Sequence, residues 1–147
     1  MVRVWSHAEA SRTLPYVRLL LGSLREGFIT IWHLFRLTGY QANNPDHREQ
    51  MRWLREEAVA DLEELQRLGI LAYDSPSRGI ALFPFIVDEC ETPREAFLVY
   101  KDSRDNIDSF IFNDEFCEHN DLFGFERAVP DGWKQPGAVP KLEEVKP

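Results

Sequence analysis

Hydrophobic residues recur at helical spacing through the first half of the chain. In the first stretch the apolar positions follow steps of four and three without a gap, which predicts a helix packed along a coiled-coil-like seam: Val17, Leu21, Leu24, Phe28, Ile31 and Phe35. A second group of apolar residues lies off this seam: Leu20, Ile29, Trp32, Leu34 and Leu37. One partner helix cannot cover both groups. We therefore expect either a sheet or a second copy of the chain against the other side.

Two local signals define the predicted start of this helix. Ser6 followed by Glu9 has the form of a capping box, which predicts a short helix from His7 to about Thr13. Pro15 is costly inside a helix, because it lacks a backbone N–H and clashes with the preceding turn, but it suits a first position. The sequence therefore predicts a second, long helix that begins at Pro15. His7, in the first turn, is expected to be exposed.

A second helical pattern follows the polar linker GYQANNPDH. It begins at Asn44-Pro45 and ends at Leu68, before Gly69. One side carries an apolar stripe and the other is acidic; the stripe consists of Met51, Leu54, Ala58, Leu62, Leu65 and Leu68. Two such helices joined by a short polar loop are predicted to form an antiparallel hairpin.

After Gly69 the spacing of apolar residues changes from helical to that of strands. ILAY, GIALFPFIV, AFLVY and DSFIF are short, rich in β-branched and aromatic residues, and separated by turn-like segments. They predict a small antiparallel sheet, in which Pro84 indicates an edge position or a bulge. The predicted fold class is α+β, with the helical hairpin, preceded by the short capped helix, packed on this sheet.

Length and composition set the domain organisation. The chain has 147 residues, of which 44% are hydrophobic and 29% charged, which is typical of one folded domain with a hydrophobic core. We assign residues 1–129 to a single α+β domain. Residues 130–147 are rich in proline and are predicted to be an extended or partly disordered arm, with Trp133 able to hold its first part.

Charge and hydropathy exclude several classes of partner. The net charge is -8 and basic residues are interspersed with acidic ones, so we expect no nucleic-acid partner. The longest apolar run, LPYVRLLLGSL, contains Arg18 and is too short to span a bilayer, so no membrane partner is expected. Cys90 and Cys117 without a secretory signal indicate reduced thiols and a cytoplasmic location.

One short segment concentrates side chains capable of chemistry. FNDEFCEHND contains Glu115, Cys117, Glu118 and His119, which are candidate metal ligands or an acid–base pair. On a helix Glu115 and His119 would share a face, whereas in extended structure Cys117 and His119 would point the same way. The alternative is an acidic surface loop after a strand. Zinc sites draw on two such pairs, and the rest of the chain supplies no second pair.

Further motifs leave the function open. The chain has no Gly-x-Ser-x-Gly, no glycine-rich phosphate loop and no His-Glu-x-x-His, so no catalytic residue and no cofactor is assigned. Nine aromatic residues are concentrated around the predicted sheet, where they could form core, a ligand groove or a partner surface: Phe83, Phe85, Phe97, Tyr100, Phe110, Phe112, Phe116, Phe123 and Phe125. We favour a non-catalytic interaction, scaffolding or regulatory module whose partner is a second copy of the chain, as a dimer, or another protein. The alternatives are a metal-binding protein or enzyme and a small-ligand binder.

Several short segments along the chain match the pattern of a known family: Trp5-Ser6, Glu9-Ala10, Leu14-Pro15-Tyr16-Val17-Arg18, Leu68-Gly69-Ile70, the Gly79 to Pro84 stretch, Leu98-Val99-Tyr100 and Gly124-Phe125-Glu126-Arg127. Together they resemble the bacterial family known as domain of unknown function two-two-zero-three. The resemblance covers roughly residues 4 to 26 and 54 to 127. It implies a fold rather than a function, since the family has no assigned activity.

The departures from that family pattern fall on its polar residues. Leu82 stands where the family has Asp, Val99 where it has Cys, Ser103-Arg104 where it has Gly-Glu, and Phe110-Ile111 where it has Trp-His. The resemblance therefore implies a divergent member that retains mostly glycine, proline and apolar positions. Any site formed by those polar residues is expected to be lost in this chain.

Overall fold

The computed structural model of the protein describes residues 3–38, 45–73, 78–90, 92–119 and 124–145. Within these residues two helices, α1 (His7–Thr38) and α2 (Pro45–Arg67), are followed by strands β1 (Leu71–Ala72), β2 (Ile80–Glu89), β3 (Thr92–Lys101) and β4 (Ser109–Phe112), helix α3 (Asn113–His119) and strand β5 (Arg127–Ala128). The strands form one antiparallel sheet in the order β1-β2-β3-β4-β5. The predicted α+β fold, with a helical hairpin beside an antiparallel sheet, is confirmed.

The predicted capping box forms at the start of α1. The Ser6 hydroxyl accepts a hydrogen bond of 3.1 Å from the Glu9 backbone N–H, and the Glu9 carboxylate accepts one of 3.2 Å from the Ser6 N–H. These two bonds satisfy N–H groups that have no partner within the helix. Hydrogen bonding to the Glu9 carboxylate from Ser6, by its side chain first and its backbone N–H second, lowers the pKa of Glu9.

Pro15 does not begin a new helix, so the predicted break near Thr13 is wrong. It lies inside α1, with its ring exposed to solvent. Proline in a helix interior costs about 3 kcal/mol. Its neighbours Leu14 and Val17 are both buried in the core, and burying such side chains contributes about 1.5–3 kcal/mol each. Packing on both sides of Pro15 therefore outweighs the local cost.

The two helices pack as the apolar seam predicts, but only along part of their length. The buried seam residues are Val17, Leu21 and Leu24 on α1 and Leu54, Ala58 and Leu65 on α2. Phe28 is partly buried against this core, and the side chain of Phe35 lies outside the described residues. Among the described side chains, none of α1 after Leu24 is fully buried. The far end of the hairpin therefore extends beyond the core.

The sheet has an apolar cluster on each face. The face toward α1 buries five aromatic rings: Phe83, Phe85, Tyr100, Phe110 and Phe112. The opposite, outer face carries a smaller cluster of Ile80, Leu82, Val99 and Ile111, which Phe116 of α3 helps to cover together with Tyr73, Phe97 and Phe125. Core packing therefore accounts for most of the aromatic residues, while Phe123 lies outside the described residues.

Pro84 lies where the edge of β2 is open, as the sequence predicts. Strand β1 pairs only with Ala81 and Leu82, so β2 continues past the end of its neighbour. The Pro84 carbonyl points away from β3 and accepts a hydrogen bond of 2.8 Å from the Trp5 backbone N–H. In an antiparallel pair, the backbone nitrogen and the carbonyl of one residue point to the same side of the strand. The Pro84 nitrogen therefore also points away from β3, and its missing hydrogen removes no bond to β3.

Residues 130–145, predicted to be an extended arm, lie packed against the sheet. Trp133 is 2% exposed, with its ring 5.6 Å from Phe85 and 4.9 Å from Phe110 between centroids. Further on, the Pro140 carbonyl accepts a 2.8 Å hydrogen bond from the Asp88 N–H. Trp133 does hold this segment, and the core continues beyond residue 129.

Candidate functional site

The acidic segment singled out in the sequence forms helix α3 directly after β4. Glu115 lies in the first turn with its side chain 19% exposed, whereas Cys117 and Glu118 are exposed. The side chain of His119 lies outside the described residues. The segment is helical, so Glu115 and His119 are four positions apart on one helix. The extended alternative, in which Cys117 and His119 would point the same way, does not apply.

Two arginines from neighbouring strands bind the carboxylates of this helix. The Arg127 guanidinium on β5 donates to Glu115 at 2.7 Å. Arg94 on β3 bonds Asp114 at 3.1 Å and lies 3.9 Å from Glu115. Cys117 donates from its thiol to the Asn113 side-chain oxygen at 3.4 Å, away from the arginines. Glu115 is therefore bound to cations of the protein itself.

A buried phenyl ring holds both arginines in place. The Arg94 guanidinium lies 3.7 Å and that of Arg127 4.8 Å from the Phe112 ring centroid. Strand register explains this, since β4 lies between β3 and β5 and Phe112 stands opposite Ala96 of β3. We call Arg94, Phe112, Glu115 and Arg127 the arginine cluster. Charge pairing and stacking on an aromatic face both hold guanidinium groups in position.

The arginine cluster makes the acidic segment resemble an ion-pair network more than a metal site. Among the described residues, no group of three or more His, Cys, Asp or Glu side chains is placed to hold a metal ion. The predicted ligands Glu115, Cys117 and Glu118 are not gathered at one point. The sequence reasoning missed Arg94 and Arg127, although the alternation of side chains along β3 and β4 places Arg94 on the same face as Phe112.

His7 is buried, so the expectation that it is exposed is wrong. Its Nε2 lies 2.9 Å from the Ile107 carbonyl, and its Nδ1 lies 3.4 Å from the Ser11 hydroxyl. A carbonyl only accepts hydrogen bonds, so Nε2 carries the hydrogen. His7 thereby fixes the start of α1 to the segment before β4, which is a structural role.

A second partly buried charged group lies on the outer face of the sheet. Lys101 and Glu126 form an ion pair of 3.0 Å, and the Ser109 hydroxyl donates to the other Glu126 oxygen at 2.8 Å. These bonds link β3 and β4 to the segment before β5. The contacts join neighbouring parts of the sheet, so this group of side chains stabilises the sheet.

The far end of the helical hairpin exposes large apolar side chains. We call residues 25–38 of α1 and 45–57 of α2 the hairpin tip. Trp32 is 58% exposed, Trp53 56% and Ile29 44%. Hydrogen bonds from Ser23 to Asp61 and from Tyr16 to Glu64 set the register of the two helices, which places Trp53 level with Ile29 and about one turn from Trp32.

The surface of the chain is large for its mass. It exposes 9356 Å² for a mass of 17.2 kDa. A monomeric protein of this mass exposes about 7,800 Å², so the excess is about 1,600 Å². Helix α1 contributes to this excess, because its 32 residues extend about 48 Å and only its first half is covered by the sheet.

Comparison with known proteins gives no relative: no protein-family model, no curated protein and no solved structure matches the chain. The resemblance to domain of unknown function two-two-zero-three therefore stays a prediction. Within the described residues, no helix combines the length and the apolar character that crossing a bilayer requires.

Proposed function

We propose that the protein is a non-catalytic interaction module that self-associates through the hairpin tip. The observation that carries this proposal is the exposure of Ile29, Trp32 and Trp53 at nearly one level of the hairpin. Large aromatic side chains are enriched at protein interfaces, where each contributes much apolar area. The sequence also suggested the aromatic residues of the sheet as a partner surface. Most of these rings are buried, so they are not available to a partner.

Charge at the hairpin tip favours a second copy of the chain as the partner. The whole chain carries a net charge of -8, which would repel another copy on average. The tip itself is neutral, because it contains five basic and five acidic residues: Arg25, Arg36, Arg48, Arg52 and Arg55 against Glu26, Asp46, Glu49, Glu56 and Glu57. Two tips can approach without net repulsion, and their mixed charges allow ion pairs around the tryptophans.

The excess surface of the chain is large enough for a stable dimer interface. A standard interface buries about 800 Å² on each partner, which is half of the excess surface of this chain. Two hairpins packed through their tips form a four-helix arrangement with one two-fold axis, so that each tryptophan meets the same surface of its partner. Such an arrangement also covers the exposed off-seam residues Ile29 and Trp32 of α1.

The test is the molar mass in solution, measured by sedimentation equilibrium over a wide concentration range. We expect a dimer for the wild type and a dissociation constant at least about tenfold higher for Trp32→Glu and for Trp53→Glu. Val139→Glu is the matched control, because Val139 is 57% exposed but lies outside the tip. A wild type that stays monomeric at high micromolar concentration would disprove the proposal, as would tip variants that dimerise like the control.

A further inference from the structure

A groove crosses the outer face of the sheet, and none of the hairpin tip residues lines it. Its volume is about 620 Å³, within the usual range for small-molecule sites of about 300–1,000 Å³. Leu71, Pro84, Ile86 and Phe97 provide apolar contacts along it. These four side chains come from β1, β2 and β3, so the groove runs across the strands rather than along them.

Two arginine side chains lie at one end of the groove. Arg3 and Arg67 line it beside Gly69, where the chain turns from α2 into β1. A Cβ placed on Gly69 would lie 3.0 Å from the Arg3 Cβ, so the N-terminal segment lies directly against this turn. Gly69 also has φ +77°, which glycine adopts without strain. The local backbone therefore brings the two arginines to the same end.

Both arginines have donors to spare. The Arg3 guanidinium stacks 3.7 Å above the Trp5 ring, and its ion pair with Glu9 is 3.8 Å long, beyond hydrogen-bond distance. Arg67 uses its Nε and Nη2 to bond Glu64. In the part of the chain that the structure describes, the Nη1 group of Arg67 has no hydrogen-bond acceptor. Guanidinium groups with unused donors bind carboxylates well.

The opposite end of the groove is anionic. Glu95 lines it and accepts a hydrogen bond of 3.2 Å from the Asn113 side-chain amide. A negative charge placed here would meet the Glu95 carboxylate. The groove therefore has guanidinium donors at one end, an apolar floor, and an end that repels anions.

We propose that the groove binds a small monocarboxylate with an unbranched apolar chain. The carboxylate lies at Arg3 and Arg67, and the chain lies over Pro84, Ile86 and Phe97 toward Glu95. Neighbouring strands are about 4.8 Å apart, so the path from β1 to β3 measures about 10 Å. This length fits a medium-chain fatty acid such as octanoate. The repulsion at Glu95 excludes a dicarboxylate of the same length.

Isothermal titration calorimetry with three probes of equal chain length tests this assignment. We expect octanoate to bind at least about tenfold more tightly than octan-1-ol or octanedioate. Octan-1-ol tests the need for a charge, and octanedioate tests the repulsion by Glu95. Equal binding of octanoate and octan-1-ol, tighter binding of octanedioate, or no octanoate binding would overturn the proposal.

Variants locate the binding to the groove. Arg3→Met keeps an apolar stem and should weaken octanoate binding about tenfold, and Ile86→Glu should abolish it by placing an anion on the floor. Arg12→Met is the matched control, since Arg12 is an exposed arginine of α1 outside the groove lining. Thermal melting of each variant without ligand confirms that it is folded. Octanoate binding unchanged in both groove variants would overturn the assignment.

This inference is independent of self-association. Trp32→Glu changes the hairpin tip and leaves the groove lining intact, so it should bind octanoate as the wild type does. If the protein is a dimer that does not bind octanoate, only the proposal of a binding groove is contradicted. If it is a monomer that binds octanoate, only the proposal of self-association through the hairpin tip is contradicted.

Discussion

The Tyr16 hydroxyl on α1 donates a 2.9 Å hydrogen bond to the Glu64 carboxylate on α2, joining the two helices of the hairpin. Arg67, one turn further along α2, donates to the same carboxylate at 2.9 Å through its Nε. Hydrogen bonds from Arg67 first, and from Tyr16 second, lower the pKa of Glu64 from 4.5 to about 2. The bond to Glu64 also raises the pKa of Tyr16.

The stability of the hairpin should therefore depend on pH through Glu64. Because its pKa is lower in the folded chain than in the unfolded chain, the charged form stabilises the fold above pH 4.5, and this contribution is lost as the pH falls toward 2. We expect Glu64→Gln to melt at a lower temperature than the wild type at pH 7, with the difference disappearing near pH 2. The contribution is small because the site faces solvent.

The matched control for this prediction is Glu63→Gln. Glu63 is an exposed neighbour on α2 for which the structure shows no hydrogen bond to α1 within its described residues. Thermal melting of both variants from pH 7 to pH 2 shows whether the pH-dependent loss of stability is specific to Glu64. A constant difference between Glu64→Gln and the wild type from pH 7 to pH 2 would contradict the assigned pKa.

The turn between β2 and β3 contains a residue in an unfavourable backbone conformation. Glu89 pairs with Thr92, so the connecting loop has two residues, and the first of them, Cys90, has φ 48°. Left-handed backbone is costly for residues with a side chain and is preferred by glycine in such hairpins. We expect Cys90→Gly to raise the free energy of unfolding in urea by about 0.5–1 kcal/mol.

The second cysteine provides a control with the opposite sign. Cys117 lies inside α3, where glycine is a poor helix former. Cys117→Gly should therefore lower the free energy of unfolding by up to about 1 kcal/mol. If both substitutions shift stability in the same direction, backbone strain at Cys90 is not the cause.

Trp133 should contribute strongly to stability although it lies in the proline-rich segment. Truncating a buried tryptophan removes its contacts and leaves a cavity beside Phe85 and Phe110. We expect Trp133→Ala to lower the free energy of unfolding by about 3–5 kcal/mol. Val139→Ala, in the same segment but exposed, should change it by less than about 0.5 kcal/mol. Equal effects of the two substitutions in urea titrations would show that the segment does not pack.

The predictions that hold are those that depend on local sequence. The heptad seam from Val17 to Leu24 and the capping box at Ser6 and Glu9 both form, because spacing and short-range hydrogen bonds determine them. Pro15 was wrongly predicted as a helix start, since its local cost is outweighed by burial of Leu14 and Val17. That balance depends on tertiary packing, which local patterns do not contain.

The candidate site shows the same limit of prediction from local sequence. Glu115 was a candidate metal ligand because Cys117, Glu118 and His119 lie beside it in the sequence. Its actual partners, Arg94 and Arg127, reach it only through the register of three strands around Phe112. The burial of His7 likewise depends on a carbonyl 100 positions away, at Ile107. Contacts between distant segments decide what these polar side chains do.

The edge of β2 is closed by two distant parts of the chain, the Trp5 N–H at Pro84 and the Pro140 carbonyl at Asp88. Contacts of such long sequence separation slow folding. During synthesis on the ribosome, the bond at Asp88 cannot form until residue 140 has emerged from the exit tunnel. The Asp88 end of β2 is therefore among the last parts of the sheet to be paired as the chain is made.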